Sequence, residues 1–282
     1  ISEAKGIHVP SGTVHINYCH APTHYYWSRY EEYMKQPGFG VFDPLARVGL
    51  WLLVKPLRSW DFKAAQRPHY VIANSSHIQK EIKKYYKRSS TVISPPVYME
   101  RFAKIENRSL HRKGFLIAGR QTPYKRFDLA VRACTKLGLP LTVIGDGPDH
   151  RRLRDIAGKS VTFLGRASDE VVEHEFASAG AFIFPGLDDF GITAVEAMAS
   201  GTPVIALKAG GALDYVQPGV TGEFFTPATT AALGQTLRKF NAKAYSSAAV
   251  RACAQRFSKE SFQKQMKAYL HTTVTASRKT TK

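Results

Sequence analysis

Five short apolar runs alternate with four stretches of helical apolar spacing between residues 114 and 206. The runs are Gly114–Ala118, Leu141–Ile144, Val161–Leu164, Ala181–Phe184 and Pro203–Ala206, and each predicts a strand. The stretches between them, Phe127–Leu137, Asp149–Ala157, 169–178 and Ile192–Ala199, predict helices. Strands that are apolar throughout, instead of alternating, are covered on both faces, and strand–helix repetition builds a parallel sheet. The fold class is therefore α/β. Open parallel sheets bind ligands beyond the carboxyl ends of their strands, so the loops after these runs are where chemistry is expected.

Upstream, Thr13–Cys19 predicts a strand that ends at His20-Ala21-Pro22, and residues 44–66 predict a helix. Val71–Ala73 reads as a strand leading into a capped helix over Ile78–Tyr86, and Thr91–Ser94 as a strand halted by two prolines. The polar stretch 103–113 predicts a linker, which divides the chain into 1–108, 109–240 and 241–282. Helices are expected over 228–240 and 244–271, with a frayed polar tail from Thr272.

Of the 282 residues, 44% are hydrophobic and 11% aromatic, which excludes disorder and fibrous architectures. Cys19, Cys134 and Cys253 are too few and too far apart for a disulfide framework or a zinc motif, so a reducing, intracellular setting is expected. The chain opens at Ile1 without Met or a signal-peptide pattern, and a preceding segment is expected. The net charge of +18 is uneven. Residues 1–108 carry 16 basic and 8 acidic side chains, 109–237 carry 13 of each, and 238–282 carry 11 basic and one acidic.

Three strand-end loops could carry chemistry. In Ala118-Gly119-Arg120-Gln121-Thr122-Pro123-Tyr124-Lys125-Arg126 a small residue frees the backbone, and Arg120 and Lys125 can hold a diphosphate, one as a fork and one as a point charge. Arg126 reads as surface charge, and Gly145-Asp146-Gly147-Pro148 as turn chemistry. The third loop, Pro185–Gly191, opens the helix from Ile192, so backbone N–H groups at 191–194 form an anion site. Glu196 lies one turn further and suits a ribose diol, while Asp188 could reach sugar hydroxyls. Helix capping by Asp188 or Asp189 is the plain alternative.

Asp188-x7-Glu196 followed by Ala-Met-Ala-Ser-Gly-Thr-Pro-Val-Ile resembles the signature of retaining glycosyltransferases of family 4, which have the GT-B fold. Gly119-Arg120 with Lys125, Gly145–Pro148, Phe163-Leu164-Gly165 and Gly210-Gly211 with Val220-Thr221-Gly222 recur in that family's order. Ala73-Asn74-Ser75 and Ser94-Pro95-Pro96-Val97 with Arg101-Phe102 are similar to the end of its first domain, and Tyr18–Trp27 to a segment of bacterial O-antigen mannosyltransferases.

The resemblance implies two Rossmann-like domains, with the N-terminal one incomplete here and completed by a missing segment or another chain. It implies transfer of a hexose, mannose first, from a nucleotide-diphosphate sugar such as GDP-mannose to a glycan or lipid-linked acceptor of a cell-surface polysaccharide. The anomeric configuration is kept, with the departing phosphate helping to deprotonate the acceptor. Arg120 and Lys125 would neutralise the diphosphate, assisted by backbone at Gly119, Phe190, Gly191, Ile192 and Thr193. Glu196 would bind the ribose, Asp188 the donor sugar, and His20 would stand near the transferred sugar. No metal and no cofactor are implied.

Two departures matter: Asp188 replaces the usual Glu, and too few residues precede position 71. A non-catalytic nucleotide-sugar-binding or scaffold protein is the main alternative, and a nucleic-acid-binding protein the lesser one. Because the middle of the chain is neutral, the basic ends point instead to an anionic membrane surface, and a peripheral position on the inner face of the plasma membrane is expected. Trp51, Leu52, Leu53 and Trp60, among Arg47, Lys55 and Arg58, would form the docking face.

Overall fold

The computed structural model describes residues 5–35, 37, 38, 40–103 and 112–280. The 104–111 part of the expected linker lies outside these residues. The chain divides into two compact units, one made of Ile1–Ser94 with Lys264–Lys282 and the other of Pro95–Gln263.

The first unit holds a three-stranded parallel sheet of β1 (Ile16–Cys19), β2 (Tyr70–Ala73) and β3 (Thr91–Val92), in that order. The expected strand over 13–19 begins later, at Ile16, and the one over 91–94 ends at Val92. A short helix that the sequence did not signal, α1 (Tyr30–Lys35), precedes the long α2 (Asp43–Ala65), and α3 (Ser76–Tyr86) follows β2. Ser75 caps α3, its Oγ accepting from the N–H of Ile78 at 3.1 Å.

Beneath α2 lies a polar knot. Asp61 is fully buried, and its carboxylate accepts from Thr23 Oγ1 (2.9 Å), Trp27 Nε1 (2.8 Å) and Tyr86 Oη (2.7 Å). Lys5 Nζ sits 2.8 Å from the same carboxylate and is buried as well. A buried charge is tolerated only when its lone pairs are taken up in this way. The knot ties the loop after β1 to α2 and α3.

The second unit is the repeated strand–helix pattern made solid. After α4 (Glu100–Ala103) come β4 (Lys113–Ala118), α5 (Phe127–Leu137), β5 (Leu141–Ile144), α6 (His150–Asp155), β6 (Val161–Gly165) and α7 (Asp169–Ser178). They are followed by β7 (Ala179–Phe184), α8 (Ile192–Ala199), β8 (Val204–Leu207), β9 (Gly222–Phe225) and α9 (Thr230–Lys239). The sheet is parallel throughout, in the order β6-β5-β4-β7-β8-β9. One buried cluster, with Phe176, Phe182, Met198 and Phe257, covers one face; another, with Phe127, Val131, Leu153 and Leu233, covers the other.

The expected single helix over 244–271 is instead α10 (Ser247–Ala254), a tight turn, and α11 (Lys259–Thr280). The break lies where Phe257 turns into the core and Ser258 takes an extended backbone, its Oγ accepting from the N–H of Ser261 at 3.2 Å. The N–H of Val97 donates to the Phe257 carbonyl at 2.8 Å, so the segment entering this unit is stitched to the one leaving it. The tail expected to fray from Thr272 is helical to Thr280. Thr273 is buried, and Tyr70 Oη lies 3.2 Å from Ser277 Oγ.

Candidate active site

In the six-stranded sheet the strand order reverses between β4 and β7. The chain leaves β4 for β5 on one side, while β7 leads to β8 on the other. Such a reversal opens a crevice beyond the strand ends. The loops after β4 and β7, 119–126 and 185–191, border it.

The first loop is fastened by a residue that the sequence did not single out. Gln121 is fully buried; its N–H donates to the Asp146 carbonyl (2.9 Å) and its Nε2 to the Gly145 carbonyl (2.8 Å). Its Oε1 lies 2.8 Å from His150 Nδ1. A lone glutamine between two cations has no periodicity to betray it. The Gly145–Pro148 turn is thus more than turn chemistry: a Cβ on Gly145 would strike the Gly119 carbonyl, and one on Gly147 the Gln121 backbone. Small residues let the two loops touch.

Gly119 follows β4 with φ 139°, and a Cβ there would lie 3.7 Å from Lys125 Nζ. Arg120 is exposed and pairs with no carboxylate among the described residues. Arg126 is taken up by Asp128 at 3.0 Å, in keeping with a surface role. Lys125 Nζ reaches across the crevice to within 3.7 Å of Asp188 Oδ2. The other Asp188 oxygen accepts from the N–H of Asp189 at 2.9 Å, and the Asp188 carbonyl from the N–H of Gly211 at 2.9 Å. No side chain caps α8, so the capping alternative for Asp188 and Asp189 does not hold.

Gly191 starts α8 at φ 97°, and the space a Cβ would need is held by the Tyr215 hydroxyl and the Phe184 ring. Only glycine fits. The Phe190 side chain is core, edge-on to Tyr215 at 5.8 Å and to Phe257 at 5.4 Å, so only its backbone is free for a ligand. The expected anion site at 191–194 is shorter by one residue: the N–H of Ala194 donates to the Gly191 carbonyl at 3.0 Å. The amides of Gly191, Ile192 and Thr193 remain at the helix start.

Tyr215 Oη is buried without a hydrogen-bond partner among the described residues, and burial, then the charges of Asp188 and Asp214, push its pKa well up. Glu196 is largely buried and faces Arg101, whose Nη1 is 3.6 Å from its Oε1. Burial raises the Glu196 pKa, while Arg101 opposes the rise. His20 belongs to the first unit, where it is exposed at the end of β1 and edge-on to Tyr18 at 5.3 Å. It is not a buried histidine satisfying a backbone group. The second unit thus assembles Gly119, Lys125, Asp188, Gly191 and Glu196. Among the described residues, no three His, Cys, Asp or Glu side chains gather into a metal-binding group.

The profile of the family described as "Glycosyl transferases group 1" matches residues 99–256, more than half of the chain. A GDP-mannose-dependent alpha-mannosyltransferase of Mycolicibacterium smegmatis is 37% identical over 105 residues, 37% of this chain and 28% of that protein. A D-inositol 3-phosphate glycosyltransferase of Streptomyces avermitilis is 29% identical over 203 residues, 60% of this chain and 44% of that protein. The chain therefore spans less than half the length of these curated relatives.

Among solved structures, Anabaena Alr3699/HepE in complex with UDP matches with a TM-score of 0.65 at 21% identity, covering 77% of this chain and 68% of that one. The lipopolysaccharide outer core galactosyltransferase WaaB matches with a TM-score of 0.63 at 21% identity, covering 75% and 64%. The fold is α/β of the GT-B kind, with parallel sheets.

Proposed function

Since the chain belongs to the group 1 glycosyl transferases, we propose that it moves a hexose, with its anomeric configuration kept, from a nucleotide-diphosphate sugar to a hydroxyl. The observation that carries this reading is the crevice at the strand-order reversal, where Lys125 and Asp188 stand 3.7 Å apart beside the start of α8. Breaking the sugar–phosphate bond leaves negative charge on the diphosphate. Arg120, Lys125 and the amides of Gly191, Ile192 and Thr193 are arranged to receive it, with Gly119 and the Phe190 backbone shaping the approach. Asp188 takes a sugar hydroxyl and Glu196 the ribose diol. The departing phosphate oxygen accepts the acceptor's proton as the new glycosidic bond forms. His20, by resemblance alone, handles a sugar hydroxyl or proton. No metal enters this scheme.

GDP-mannose is the donor we propose, supported by the name of the M. smegmatis relative. The acceptor is a glycan or lipid-linked sugar of a cell-surface polysaccharide, reached from an anionic membrane surface. The support for that surface is α2, which buries Val54, Asp61, Ala64 and Ala65 and leaves Trp51, Leu52, Leu53 and Trp60 exposed near Lys55 and Lys63. Arg58 turns inward, over the rings of Trp27 and Tyr30 at 5.4 and 4.8 Å. None of the described helices is long and apolar enough to cross a membrane.

The test is a calorimetric screen of GDP- and UDP-sugars, followed by transfer to a lipid-linked glycan and determination of the product's anomeric configuration. Binding and transfer of mannose with retention are expected. Nucleotide-sugar binding without turnover would favour a scaffold, and salt-sensitive binding of duplex DNA without nucleotide-sugar binding would favour a nucleic-acid partner.

A further inference from the structure

Arg101 sits in the four-residue α4, immediately before a firmly anchored neighbour. Phe102 is 1% exposed, lies edge-on to Phe176 at 6.0 Å, and donates its N–H to the Met99 carbonyl at 3.0 Å. The start of the Arg101 side chain is therefore held by the core. Its guanidinium then splits among three carboxylates on two helices. Nη2 is 3.0 Å from Asp169 Oδ1 and Nε is 3.2 Å from Glu173 Oε1, both on α7, while Nη1 is 3.6 Å from Glu196 Oε1 on α8.

The three contacts differ in kind. Those to Asp169 and Glu173 are hydrogen bonds. The 3.6 Å to Glu196 is too long for one, so that attraction is a point-charge effect that leaves the Glu196 oxygens their lone pairs. The surroundings differ too. The Asp169 side chain is 85% exposed and its charge is screened by water, whereas that of Glu196 is 20% exposed. Burial and Asp169 both favour the protonated form of Glu196, and Arg101 is the cation that opposes them. A protonated carboxyl offers one donor and fewer acceptor sites, while two diol hydroxyls need two acceptors.

We propose that Arg101 is a positioning residue for donor binding, holding Glu196 as a free carboxylate for the ribose diol without consuming its oxygens. The proposal rests on the ribose role given above to Glu196.

The experiment measures dissociation constants of the 282-residue chain for GDP and UDP, and for their 2′,3′-dideoxy forms, from pH 5.5 to 8.5. Arg101→Gln is expected to weaken binding of the intact nucleotides about tenfold at neutral pH, the equivalent of one pKa unit on Glu196. It also moves the acid-side loss of affinity to higher pH. Arg101→Lys restores part of both effects. Glu173→Gln, which removes a competitor for the guanidinium, moves the acid-side loss to lower pH, and this arm stands if Arg101→Gln does not fold. With the dideoxy nucleotides none of these shifts is expected. Equal losses on intact and dideoxy nucleotides, or an unmoved pH profile in both Arg101→Lys and Glu173→Gln, would overturn the proposal. Glu196→Gln with undiminished affinity for the intact nucleotides would instead overturn the ribose role itself.

Discussion

Lys125 Nζ and Asp188 Oδ2 lie 3.7 Å apart, one on the loop after β4 and the other on the loop after β7. Their side chains are 23% and 24% exposed, so water screens the pair and its own stability is worth about 0–1 kcal/mol. A cation held so lightly is available to a diphosphate. Lys125→Ala is therefore expected to lower transfer by about 10²–10³-fold while the melting temperature moves little. Transfer assays and thermal melts on the same preparation check this, and full activity in the variant would contradict the leaving-group role.

Gly191 and Tyr215 make a second, coupled pair. Gly191→Ala places a methyl where the Tyr215 hydroxyl and the Phe184 ring already lie, at φ 97°. A cost of about 1–3 kcal/mol is expected, together with weaker donor binding. Tyr215→Phe removes a buried hydroxyl that has no partner among the described residues, so it is expected to be neutral or stabilising. Because both changes act on one contact, the double variant should recover part of the Gly191→Ala loss in urea melts. Strict additivity would count against the clash.

Asp61→Ala is expected to be among the most damaging single changes in the first unit. It strands the Lys5 ammonium and the donors of Thr23, Trp27 and Tyr86 in a buried place. The loss should be about 3–5 kcal/mol, read from chemical denaturation. Asp61→Asn keeps an acceptor but loses the charge, and should fall between Asp61→Ala and the natural residue.

The outer face of α2 predicts vesicle binding. Trp51 and Leu52 are 64% and 60% exposed, and Lys55, Lys63, Lys264 and Lys267 on the same unit are exposed too. Sedimentation with phosphatidylserine vesicles should be strong at low salt and reversed at high salt. It should drop on Trp51→Ser with Leu52→Ser. Equal sedimentation with neutral phosphatidylcholine vesicles would reject the electrostatic part of the reading.

Much of the second unit was legible because its strands are buried on both faces. The helices Phe127–Leu137 and Ile192–Ala199 begin and end where their spacing places them. The strand Gly222–Phe225 was missed because Gly opens it and its apolar content is two adjacent Phe residues, too short to show a period. The break at Ser258 was missed because apolar spacing continues through it, and only tertiary pairing with Val97 explains the interruption. Within the site, the loop cations and Asp188 could be read from residue type and position. Gln121, Arg101 and Tyr215 could not, since their parts are set by contacts with residues far away in sequence. The expectation of four free amides at α8 failed on one bond, from Ala194 to Gly191, which spacing alone does not reveal.

The hydrogen bond between Val97 and Phe257 has a consequence for descent as well as for folding. Because the segment 95–263 begins and ends at neighbouring points, it is topologically an insert. The polypeptide on either side needs only to meet two adjacent ends. A lineage could replace the whole insert, and with it the choice of nucleotide, without rethreading the sheet that surrounds β1 and β2.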